Sequence, residues 1–97
     1  MNPEMEENIH LNDLSFIRLC SDNYGINKGI YNTIDAWFYN QGVTNILDRR
    51  KNILLFLEYL KRKRNKAQSK QKFGNGGLTI NLQEYFFGTT SKAASSF

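Results

Sequence analysis

The sequence predicts a mainly α-helical fold: a compact bundle of about three helices, with a long basic third helix and a short extended or hairpin-like C-terminal segment. Three observations predict it. Apolar residues recur at three- and four-residue spacing through most of residues 11–60. Asn, Asp or Thr residues able to cap a helix precede the first and third periodic stretches. Glycines punctuate the chain after those stretches, at Gly25, Gly42 and the group Gly74, Gly76 and Gly77.

Residues 1–10 are acidic and polar and read as a flexible N-terminus. A first helix follows from Asn12 or Asp13 to about Cys20, with Leu11, Leu14, Ile17 and Cys20 at helical spacing and Phe16 and Leu19 beside them. Ser21-Asp22-Asn23-Tyr24-Gly25 has turn chemistry, because short polar side chains bond locally and glycine permits positive φ. A second helix is expected over Asn27–Gln41, its core stripe formed by Ile26, Ile30, Ile34, Trp37 and Phe38, with Gly42 suited to a left-handed terminus. Thr44 or Asn45 caps the third helix, and Asp48 falls in its favourable first turn. Ile46, Ile53, Leu57 and Leu60 line that helix, flanked by Leu54 and Phe56.

The helical domain is expected to span 11–73, the glycine hinge 74–77, and the C-terminal segment and tail 78–97. Leu78-Thr79-Ile80-Asn81-Leu82-Gln83 alternates apolar and polar residues, the period of a half-buried strand. It has no evident strand partner, and Asn81–Phe87 reads alternatively as a short helix. With 97 residues the chain has the length of one domain. The acidic start is unlike a signal peptide, and the longest apolar run, Ile53–Leu57, falls far short of the ~20 residues a membrane span needs. Together with a lone cysteine, Cys20, these features lead to an expectation of a cytoplasmic protein with no membrane contact.

Charge is the most informative feature. Residues 1–48 carry Arg18 and Lys28 against seven carboxylates, a net of −5. Residues 49–72 carry ten Lys and Arg against Glu58 alone, a net of +9. The total of +4 therefore conceals an acidic front and a basic block that would attract a polyanion. Arg49, Arg50, Lys51, Lys61, Arg62, Lys63, Arg64 and Lys66 are the candidate phosphate contacts, with Tyr59 near them for base stacking. A solvated helix end complementing the C-terminal dipole is the plainer alternative, although four consecutive cations exceed that need. The second helix carries only Lys28, which is poor for a recognition helix, so phosphates rather than base edges are the expected target.

Among the aromatics, Trp37 and Phe38 fit the core, whereas Tyr39 and Tyr59 lie off their stripes, as does Leu55. Tyr85, Phe86 and Phe87 are three consecutive aromatics that cannot all face one core, so they form a candidate protein interface, including that of a homodimer. Catalytic signals are weak. His10 is the only histidine, Cys20 sits on an apolar helical face, and no Cys/His cluster suits a metal. Gly74-Asn75-Gly76-Gly77 follows a basic helix instead of opening one, unlike a phosphate-binding loop.

The stretch Tyr24-Gly25-Ile26, Gly29-Ile30, Ile34, Trp37-Phe38 and Gly42-Val43-Thr44 resembles the helical domain of DnaD/DnaB-type helicase loaders. In that family a Tyr and an Ile precede a Trp and then a Gly-Ile/Val-Thr, and here Trp37 stands one position early relative to Gly42, with Phe38 in its place. The resemblance covers about twenty residues and implies single-stranded DNA and a replicative helicase as partners.

The expected function is a small non-enzymatic nucleic-acid-binding protein, for DNA or RNA, that contacts phosphates through a basic helix and uses no cofactor. The alternative is a protein-binding adaptor or inhibitor, such as one encoded by a phage or other mobile element, acting on a nucleic-acid-processing complex.

Overall fold

The computed structural model describes residues 3–67 and 75–88. Among the described residues it contains five helices and no strand: α1 (Pro3–Asn8), α2 (Asp13–Tyr24), α3 (Lys28–Asn40), α4 (Ile46–Ala67) and α5 (Asn75–Phe87). The fold is mainly helical, and the expected count of about three helices is corrected to five. The chain divides into two compact units, Met1–Glu58 and Tyr59–Phe97, with α4 contributing residues to both.

In the first unit, asparagine side chains start three helices in the same way. Each accepts a hydrogen bond from a backbone N–H that the helix itself leaves unpaired: Asn12 from Ser15 at 2.9 Å, Asn27 from Ile30 at 2.8 Å, and Asn45 from Asp48 at 3.0 Å. Helix α2 runs on to Tyr24, past the turn expected at Ser21. Its stop is Gly25 in the left-handed region (φ 69°), whose N–H donates to the Ser21 carbonyl at 2.9 Å.

The core of this unit joins Phe16 and Cys20 of α2, Tyr31, Ile34 and Phe38 of α3, and Ile53, Leu54, Phe56 and Leu57 of α4, all buried. Edge-to-face rings link the helices, Phe16 to Tyr31 at 6.0 Å and Phe38 to Phe56 at 6.3 Å between centroids. The expected α2 stripe is only partly right, since Leu14 is exposed and the buried pair is Phe16 and Cys20, four residues apart. Trp37 is half-buried, its ring edge-on to Phe38. Ile46 and Leu55 of α4 are exposed. The N-terminus also differs from expectation: Pro3–Asn8 is a helix, and Ile9 behind it is fully buried.

In the second unit, the extended or hairpin-like segment is replaced by α5, which opens inside the glycine run that reads as a hinge. Burial explains the outcome. A strand would place Leu78, Ile80 and Leu82 on one face, but Ile80 is 53% exposed while Leu78 and Leu82, four apart, are buried. Early glycines disfavour the helix by about 1 kcal/mol each, less than two buried leucines return. The Asn81 side chain donates to the Gly77 carbonyl at 2.7 Å, adding a bond within the first turns.

Candidate nucleic-acid interface

The basic block lies on α4, and its two clusters have different surroundings. Arg49 faces α3: its Nε donates to Asp35 at 2.7 Å, and its Nη1 donates to the carbonyls of Thr44 at 2.9 Å and Val43 at 3.3 Å. Its side chain is only 12% exposed. The guanidinium carbon sits 5.3 Å from the centroid of Tyr39, whose ring is exposed.

Arg50 goes further inward, with 5% of the residue exposed. Its Nη1 donates to the Ile9 carbonyl at 2.9 Å and to the Leu11 carbonyl, its Nη2 donates to Asp13, and the guanidinium lies 4.8 Å from the Phe16 centroid. Five donors in a rigid fork suit this work of gathering carbonyls that no helix satisfies. Arg50 therefore ties the α1–α2 connection to α4, and in this arrangement its donors face the protein. Lys51 reaches Glu6 of α1 at 3.8 Å, a half-exposed and hence weak pair.

The second cluster belongs to the other unit. Lys63 donates to Glu84 of α5 at 2.7 Å and to Asn81 at 2.8 Å, and lies 5.7 Å from the Tyr59 ring centroid. The Tyr59 hydroxyl donates to the same Glu84 oxygen at 3.1 Å. The bond from Lys63 holds the Glu84 carboxyl below its ordinary pKa, and the same bond raises that of Lys63. Burial, then the Glu84 bond, raises Tyr59. Lys61 and Arg62 are exposed, and α4 continues through Arg64 and Lys66. Lys70, Lys72, the first hinge glycine Gly74 and the tail beyond Gly88 lie outside the described residues.

The aromatic triplet separates by role. Tyr85 packs on Tyr59 with centroids 5.7 Å apart, and burial raises its pKa. Phe86 and Phe87 meet edge-on at 5.0 Å, with Phe87 exposed. Among the described residues, no three His, Cys, Asp or Glu side chains are grouped to hold a metal ion, and no helix is long and apolar enough to cross a membrane.

In the sequence all cations of the block look alike, and the acceptors of Arg49 and Arg50 are hidden. A signal was available. Arg50 stands in register with Ile53, Leu57 and Leu60 on the buried stripe, a position where a cation must find partners inside. The partners themselves, two backbone carbonyls near residue 10, carry no mark in the sequence.

No family model matches the chain. No solved structure matches it either. Among curated proteins, it is similar to the RNA-binding riboflavin kinase RibR of Bacillus subtilis (strain 168), with 42% identity over 80 residues. The match takes in 81% of this chain and 35% of that protein, so the chain spans about a third of the relative's length. The relative is named as a kinase, and this overturns the expectation of a non-enzymatic protein. That expectation rested on missing His, Cys and metal clusters. Phosphoryl transfer proceeds mainly by positioning and electrostatic stabilisation, so such absences do not bear on it.

Proposed function

We propose that this chain binds RNA, and that the second basic cluster of α4 supplies the phosphate contacts through Lys61, Arg62, Arg64 and Lys66. One observation carries the reading: 42% identity across 81% of the chain to a protein named for RNA binding. The chemistry agrees with it. Lys and Arg that reach phosphates displace the counterions condensed on the nucleic acid, and affinity comes from that release. Lys61 and Arg62 are exposed, whereas Arg50 is buried against carbonyls and Arg49 is engaged by Asp35.

Lys63 and Tyr59 have a supporting part in this reading. Their shared bonds to Glu84 join α5 to the last turns of α4, which limits the fraying of a helix end that is otherwise rich in like charges. Backbone contacts to phosphate position a protein without reading sequence, so binding through this cluster is broad in sequence.

The test is fluorescence anisotropy of the purified chain with a labelled single-stranded RNA, the matching RNA duplex and the matching single-stranded DNA, at about 50 mM salt. Binding to RNA, weakened steeply by added salt, is the expected result. Failure to bind any of the three at that low salt would refute the proposal, and binding only to DNA would refute its RNA part.

A further inference from the structure

Tyr39 is 54% exposed at the C-terminal end of α3, yet its ring is not loose on the surface. One face is backed by the Arg49 guanidinium at 5.3 Å. That guanidinium is in turn fixed by three acceptors: the Asp35 carboxylate, one turn before Tyr39 on the same helix, and the carbonyls of Val43 and Thr44. Asp35, Arg49 and Tyr39 thus form a stack that begins in the protein and ends in solvent. An isolated exposed tyrosine is ordinary. A tyrosine pre-ordered on a part-buried, triply bonded arginine is a built platform, because the entropy of holding the ring has been spent in folding the first unit. Ile46, exposed one turn before Arg49 on α4, adds apolar surface on the same side of that helix.

From this stack we infer that Tyr39 is a stacking site for an unpaired nucleobase, and this rests on the reading of the chain as an RNA-binding protein. The partner is a base splayed from a single strand, loop or bulge. Such bases offer a flat π-face of either purine or pyrimidine, and the ring accepts them without selecting sequence. An aromatic of this kind supplies what the phosphate contacts lack. It distinguishes unpaired from paired RNA, since a duplex keeps its bases stacked on one another. The role of Arg49 is positioning: it holds the ring and touches no ligand.

The experiment measures the affinity of the full chain for a single-stranded RNA of about ten nucleotides, and for the same RNA made abasic at each position in turn. Tyr39→Ala should weaken binding about 5- to 150-fold, the usual range for losing one stacked base. Its salt slope should match that of the unchanged protein, because stacking releases no counterions. Tyr39→Phe keeps the ring and should bind within about twofold of the unchanged protein. One abasic position should weaken the unchanged protein as Tyr39→Ala does, and should add little to Tyr39→Ala itself. If Tyr39→Ala also lowers the melting temperature, the Tyr39→Phe and abasic comparisons decide. Equal affinity of Tyr39→Ala and the unchanged protein would overturn this inference and leave the RNA-binding reading standing. Failure of the unchanged protein to bind RNA overturns both.

Discussion

Replacing Arg50 by alanine should destabilise the first unit by about 2–3 kcal/mol, a figure that follows from the groups it leaves behind. The Ile9 carbonyl lies in a buried bond, and a buried acceptor without a partner costs about 1–3 kcal/mol. The Leu11 carbonyl is part-buried and regains some water, so it adds less. Loss of the guanidinium from the Phe16 ring removes about 0.5–1 kcal/mol. The Asp13 pair contributes little, because the Asp13 side chain is 88% exposed and returns to solvent. One effect opposes these: the buried Arg50 Nε has no hydrogen-bond partner among the described residues, and its removal relieves about 1 kcal/mol. Urea denaturation followed by Trp37, the single tryptophan and a member of this unit, reads the result directly. Asp13→Asn serves as the control and should cost less than about 1 kcal/mol. If Arg50→Ala costs no more than Asp13→Asn at an unchanged m-value, the anchoring role is refuted.

Two further outcomes test other parts of the structure. Glu84 is held below its ordinary pKa by Lys63, so its contribution is fully present above the ordinary carboxylate range and is lost as pH falls through the lowered value. Both side chains are partly exposed, so the step is small, about 0.2–1 kcal/mol, and Glu84→Gln should remove it from a pH titration of the Tyr59–Tyr85 contact followed by NMR; a step of undiminished size in that variant would contradict the assignment. Burial pushes the Cys20 thiol up to about 12. At pH 8 it should therefore alkylate on the order of 10³ times more slowly in the folded protein than in urea, and equal rates would show that Cys20 is not enclosed.

The sequence allowed the helical class and three helix starts to be read because both are local. Asn12, Asn27 and Asn45 each satisfy a backbone N–H three residues on, so the cap is visible in one short window. The Ile34–Phe38 spacing marks the buried face of α3 for the same reason. Of the two readings open for the C-terminal segment, the strand over Leu78–Gln83 fails and the short helix over Asn81–Phe87 starts too late, because Leu78, Ile80 and Leu82 satisfy both periods. Leu78 and Leu82 are two steps of a strand stripe and also one turn of a helix, and only the exposure of Ile80 separates them. Helix α1 went unread because its security comes from Arg50, some forty residues away. The candidate interface was legible as a block of charge. Its division was not, since the acceptors that claim Arg49, Arg50 and Lys63 come from α3, from backbone near Ile9 and from α5.

That division is tested most directly by the salt dependence of RNA affinity. About four phosphate contacts on a single strand give a log–log slope of about −3, and Lys61→Ala with Arg62→Ala should reduce it by about 1.4. A slope unchanged in that double variant would contradict the account, because Lys61 and Arg62 would then be carrying none of the phosphate contact.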